Sequence, residues 1–116
     1  MKLAIIGSRQ FDNFDVLTKN VPAGISEIIS GGAKGADMLA ERFADENKIP
    51  KKIFLPKFKT DKAVKYHPSY FHIRNREIVD YADEVLAFMP EGGSKGTQST
   101  ISYAKKTGVP YRIINF

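Results

Sequence analysis

Short apolar runs alternate along this chain with stretches whose apolar residues recur at helical spacing, and the alternation predicts strands and helices in turn. Residues 2–7 read as a first strand, and residues 16–20 carry part of a short helix ahead of Pro22. Residues 24–30 predict a second strand with Ile25, Ile28 and Ile29 as its bulk. Ala36, Leu39, Ala40, Phe43 and Ala44 then mark one buried helical face, which Asn47 and Pro50 end. A third strand at residues 53–55 is closed by Pro56, and residues 57–67 read as a loop. Pro68 suits the first turn of a helix holding Phe71, Ile78, Val79 and Ala82. Residues 84–89 form a fourth strand, residues 97–106 a last helix capped by Gly108, and residues 111–115 a final strand.

Strict alternation of this kind predicts an α/β fold: a five-stranded parallel sheet with helices on both faces, three layers in all. If the first three strands wind one way and the fourth returns beside the first, the order is 3-2-1-4-5. The winding then reverses between strands 1 and 4, where α/β sheets open a crevice at their carboxyl ends. Gly7, Ser8 and Arg9 stand at the carboxyl end of strand 1 and residues 91–97 at that of strand 4, so both segments are expected to flank that crevice.

Composition narrows the class. The 116 residues suit one domain, residues 1–116, and 42% apolar with 27% charged residues is the mixture of a globular chain. No apolar run approaches a membrane span and no secretory signal opens the chain, so a cytoplasmic location without membrane contact is the expectation. The absence of cysteine excludes disulfides, thiol chemistry and cysteine-ligated metals. His67 and His72 stand five apart with no acidic cluster beside them, which argues against a metal site. The net charge of +5 favours an anionic partner, nucleotide or nucleic acid.

Two glycine-rich segments supply the candidate chemistry: Gly31-Gly32-Ala33-Lys34-Gly35-Ala36-Asp37 and Gly92-Gly93-Ser94-Lys95-Gly96-Thr97. Each follows an apolar run and opens a helical pattern. A helix start leaves unpaired N–H groups carrying about half a positive charge, and glycine lets a ligand approach them. Lysine beside such a terminus is unfavourable without an anion, which marks Lys34 and Lys95; Arg9 can clamp a phosphate bidentately, and Ser8 and Thr97 can donate hydroxyls. The same residues have structural alternatives: tight turns and close packing for the glycines, caps for Ser8 and Thr97, a loop-bracing role for Asp37 and surface ion pairs for the cations. Phe11, Phe14, Tyr70 and Phe71 could fill the core or stack a base. Lys51, Lys52, Lys57, Lys59, Lys62 and Lys65, interleaved with Phe54, Phe58 and Tyr66, read either as solvated surface or as a basic, partly aromatic face for nucleic acid.

The strings GSRQF, SGGAKGAD, RNREIVDYADEVLAF and GGSKGT resemble the SLOG superfamily of Rossmann-like nucleotide-binding domains, most closely its small stand-alone YspA-like branch. Its more distant relatives are the cytokinin-activating phosphoribohydrolases and the DNA-processing protein A family. The resemblance implies a nucleotide-derived ligand with no required cofactor, and it selects Arg74 and Asn75 as ligand contacts, with Arg76 turned to solvent. Against the phosphoribohydrolase fingerprint PGGxGTxxE, Gly92, Gly93, Gly96 and Thr97 match with one residue inserted, and Thr100 stands where the catalytic glutamate belongs. Asp37 and Glu77 are the carboxylates left as catalytic candidates. The resemblance to the DNA-processing proteins lies in Gly7-Ser8-Arg9 and in residues 30–37. Three functions are therefore expected in order: binding or sensing of an ADP-ribose-like ligand or nucleoside monophosphate, N-glycosidic hydrolysis or transfer on a nucleotide, and single-stranded nucleic-acid binding. Assembly into a homo-oligomer is expected from the relatives.

Overall fold

The computed structural model describes all residues, 1–116. Five strands, β1 (Lys2–Gly7), β2 (Glu27–Ser30), β3 (Lys51–Ile53), β4 (Glu84–Met89) and β5 (Tyr111–Asn115), form one parallel sheet in the order β3-β2-β1-β4-β5. The helices are α1 (Phe14–Asn20), α2 (Ala36–Glu46), α3 (Lys57–Thr60), α4 (Ser69–Tyr81) and α5 (Lys95–Thr107). This is the Rossmann-like α/β arrangement that the alternation predicts.

The central strands are buried on both faces, as the continuous runs Leu3-Ala4-Ile5-Ile6 and Val85-Leu86-Ala87-Phe88 require. Side chains alternate across the sheet, which divides the core in two. Leu3, Ile5, Ile28, Leu86 and Phe88 meet Ala36, Ala40, Phe43 and Ala44 of α2 on one face. Ala4, Ile6, Ile29, Val85 and Ala87 meet Ile78 and Val79 of α4 and Ile101 and Ala104 of α5 on the other. Phe11 belongs to the first core, stacked on Phe88 with centroids 4.3 Å apart, and Phe14 packs at its margin.

Four elements differ from expectation. The second strand is Glu27–Ser30 rather than 24–30, and Ile25 packs at the margin of the first core from outside it. The third strand sits at Lys51–Ile53 rather than 53–55, fixed by pairing Ile28 with Lys51 and Ser30 with Ile53. As an edge strand with exposed side chains it carries no apolar signature. The four-residue helix α3 lies inside the expected loop and buries nothing, so no apolar period announces it. Helix α5 begins at Lys95, two residues before the expected start, and ends at Gly108 in the left-handed conformation (φ 80°).

Candidate functional site

Parallel strands deliver their carboxyl ends to one rim of the sheet, and the reversal of winding between β1 and β4 leaves space there. A cleft of ≈440 Å³ occupies that space. Its floor is Ile6 and Gly7 at the end of β1, followed by Ser8 and Arg9; Ala33 and Asp37 enter from the turn into α2. Helix α4 contributes Phe71, His72, Arg74, Asn75 and Ile78, with Pro68 ahead of it, and α5 contributes Lys95, Gly96, Thr97 and Thr100, with Ser94 ahead of it. The two lysine-bearing turns thus border the same opening, Ala33 representing one and Ser94 to Thr97 the other.

Helix α5 opens onto the cleft without a cap. Ser94, its N-cap, accepts no hydrogen bond at its side chain, and the first-turn amides of Lys95, Gly96 and Thr97 have no protein acceptor. Its first turn holds no carboxylate. The positive end of a 13-residue helix therefore meets the cleft with its donors free and Lys95 beside them.

The turn between β2 and α2 is built differently. Asp37 is buried, at 7% exposure, and its Oδ2 accepts the Ala33 N–H at 3.2 Å; the Ser30 hydroxyl donates to its main-chain carbonyl at 3.2 Å. Burial pushes the Asp37 carboxyl up to about 6, against the pull of the Ala33 amide and the Arg74 charge. Gly35, at φ 77°, lets the start of α2 close on the β1 turn: the Ala36 N–H donates to the Ser8 carbonyl at 3.2 Å, and a Cβ on Gly35 would overlap that carbonyl. Asp37 is thus a brace that holds the turn, whatever else it does.

Arg74 joins the two sides. It is 8% exposed, its Nη1 donates to the Gly31 carbonyl at 2.6 Å and at 3.4 Å to that of Phe54, and its Nε donates to Asn75 Oδ1 at 2.8 Å. That last bond fixes the Asn75 amide, whose Nδ2 remains a donor at the cleft. Burial lowers the Arg74 pKa, with the nearby Arg9 charge adding to the effect and Asp37 opposing it. Three cations, Arg9, Arg74 and Lys95, therefore border the cleft with Asp37 as its one carboxylate, an excess of positive charge that suits an anion.

Of the residues expected to bind ligand, Gly7, Ser8, Arg9, Asp37, Arg74, Asn75, Ser94, Lys95, Gly96 and Thr97 come together at this cleft. Gly31, Gly32, Lys34, Gly35, Gly92 and Gly93 do not border it. Gly31 and Gly35 stand behind the lining as packing positions, against Arg74 and Ser8, and Lys34 is exposed on the turn. Glu77 is exposed on α4 outside the cleft, and Arg76 also faces out, over the Tyr103 ring. Thr100 lies at the cleft with its hydroxyl donating to the Gly96 carbonyl at 3.0 Å. Phe71, one of the aromatics expected either in the core or against a base, lines the cleft, and so does Ile78, expected only as a core residue; they stand three before Arg74 and three after Asn75 on the helix, on the face those residues share. His72 borders the cleft too, and no group of three or more potential metal-ligating side chains is present. No helix is long and apolar enough to cross a membrane.

The family model for the YspA, cpYpsA-related SLOG family matches residues 1–60. These residues hold the β1 turn, the β2–α2 turn and Asp37. No curated protein matches the chain. Among solved structures, DNA processing protein A from Helicobacter pylori, described for a unique single-stranded DNA binding mode, is similar with a TM-score of 0.71 at 24% identity over 97% of this chain. The chain spans 64% of that protein, and the likeness is one of fold.

Proposed function

The chain belongs to the YspA, cpYpsA-related SLOG family, and from that premise we propose that its cleft binds a phosphate-bearing, nucleotide-derived ligand, as a binding or sensing site. One observation carries the reading: the uncapped start of α5 opens into the same cleft as Arg9, Arg74 and the β1 turn. A phosphate seated there takes the amides of Lys95, Gly96 and Thr97 as donors and the Lys95 and Arg9 charges as counterions. The nucleoside lies toward α4, where Asn75 Nδ2 can donate to it and Phe71, Pro68 and His72 offer flat or apolar surface. The volume falls within the range of about 300–1,000 Å³ common to small-molecule sites. A helix start contributes at most about 2 kcal/mol, whereas micromolar binding needs about 8, so the cations and the α4 contacts must supply most of the affinity.

Thermal unfolding with AMP, ADP and ADP-ribose tests this. A ligand at one hundred times its dissociation constant adds about 2.7 kcal/mol, a shift of several degrees. Arg9→Ala and Lys95→Ala, both at exposed positions, should keep the melting temperature of the free protein and lose the ligand-induced shift. A panel in which no nucleotide moves the transition overturns the reading.

A second reading, single-stranded nucleic-acid binding, is favoured by the ground beside the cleft. Lys57, Lys59, Lys62 and Lys65 are exposed, and Tyr66, 65% exposed, lies with its ring 6.1 Å from that of Phe71, a cleft residue. The structural neighbour of that description adds to it. Lys51 counts less, since it pairs with Asp45 at 3.0 Å.

A further inference from the structure

A second hollow of ≈270 Å³ adjoins the cleft in the seam between α4 and α5, and the two share His72, Asn75 and Thr100. Its walls are two helical stripes. On α4, His72, Asn75 and Arg76 follow i, i+3, i+4 spacing; on α5, Ser99, Ser102, Tyr103 and Lys106 follow i, i+3, i+4, i+7. Ile78 and Val79 of α4 and Ile101 and Ala104 of α5 are buried against the sheet, and the residues lining the seam are hydroxyls, an amide, an imidazole, a phenol ring and cations. No carboxylate is among its lining residues, although Asp80 on α4 accepts the Tyr103 hydroxyl at 2.7 Å beside it, and neither Arg76 nor Lys106 stands within ion-pair distance of a carboxylate. Arg76 is instead held over the Tyr103 ring, 5.3 Å from its centroid, which positions the guanidinium at the wall.

We propose that this seam is a second anion subsite, and that the ligand is a linear nucleotide unit with two separated phosphates: one at the start of α5, the other between Arg76 and Lys106. The proposal rests on the nucleotide reading of the cleft and extends it. His72, Asn75 and Thr100 belong to both hollows, so the nucleoside linking the phosphates would cross them. A mononucleotide fills the first hollow only. Two sources have this chemistry, a free dinucleotide and a segment of a longer single strand.

Calorimetric titration of the whole chain with AMP, with 5′-phosphorylated pApA and with a twenty-residue oligodeoxyadenylate tests the idea. The dinucleotide should bind about tenfold more tightly than AMP, the effect of one added charge-assisted contact. The doubly substituted Arg76→Ala/Lys106→Ala protein should bind AMP unchanged and lose that margin, because both side chains are exposed and outside the cleft. Its salt slope for pApA should also fall by roughly 0.7 per phosphate contact removed. An oligonucleotide binding no better than pApA supports the subsite with a free dinucleotide as source; tighter binding that is lost in the double variant supports it with a strand. Equal affinity for AMP and pApA, or a margin that survives the double substitution, overturns the second subsite and leaves the first. If none of the three binds, the nucleotide reading itself falls and the subsite with it.

Discussion

Arg74 Nη1 donates to the Gly31 carbonyl at 2.6 Å, and a Cβ placed on Gly31 would lie 2.8 Å from that same nitrogen. The glycine is small because the guanidinium needs its space, which couples the β2–α2 turn to α4 across the cleft. Removing either partner should therefore disturb the same bond. Arg74→Ala leaves the buried Gly31 carbonyl unsatisfied and Asp37 without its nearby cation, a loss of about 2–4 kcal/mol. Gly31→Ala should cost about 1–3 kcal/mol by displacing Arg74. The double variant should lose less than the sum, because the second change removes nothing new. Urea unfolding of the four proteins measures this, and strict additivity would contradict the coupling.

Asp37 predicts a pH dependence of unusual sign. Its folded pKa of about 6 lies above the unfolded value of 3.8, so between those limits the folded state binds more protons than the unfolded one. The contribution of this group is full below pH 3.8 and is lost as pH rises toward 6, by at most about 3 kcal/mol. Asp37→Asn cannot ionise and keeps an oxygen for the Ala33 amide. The stability of Asp37→Asn relative to the parent should then rise between pH 4 and pH 7, in urea titrations at each pH. A difference that stays constant with pH would show that the carboxyl titrates normally.

The sheet order was legible because β1 and β4 carry four or five consecutive buried residues and β5 follows a glycine-capped helix. What escaped was held by long-range pairing. Residues Lys51 and Lys52 carry no strand pattern and are strands only because β2 offers them a partner. The glycine turns point in the sequence to the rim where the candidate site lies, but a one-dimensional motif cannot tell a residue that lines a cleft from one that supports it. Gly31 and Gly35 show why: their neighbours, Arg74 and Ser8, come from 43 and 27 residues away in sequence. Lining from α4 was partly recoverable, since Phe71 and Ile78 share the helical face of Arg74 and Asn75, whereas Pro68 and Ala33 carry no polar group to mark them.

The two functional readings separate on salt. Neutralising Lys57, Lys59 and Lys62 removes exposed charges outside the cleft. A mononucleotide in the cleft should bind the triple glutamine variant with unchanged affinity. A single strand lying over these lysines should lose affinity and reduce its salt slope by about 2, at roughly 0.7 per contact. Titrations of both ligands between low and moderate salt check this, and an unchanged slope for the strand would remove the lysines from any interface.

Gly96 offers a test in which stability and binding move in opposite directions. It occupies the first turn of α5, exposed, and a Cβ there would meet nothing within 4 Å. Replacing glycine in a helix with a residue bearing a side chain gains up to about 0.5–1 kcal/mol, and a carboxylate in the first turn complements the helix dipole by about 0.3–1 kcal/mol. Gly96→Asp should consequently raise the melting temperature of the free protein by a few degrees. The same carboxylate sits among the amides that the proposed phosphate requires, and it brings a second negative charge to a cleft that has only Asp37. Nucleotide-induced stabilisation should then disappear from a protein that is itself more stable. Gly96→Ala separates the two effects, because it supplies the side chain without the charge and should retain binding. If Gly96→Asp binds nucleotide as the parent does, the start of α5 is not where the phosphate lies.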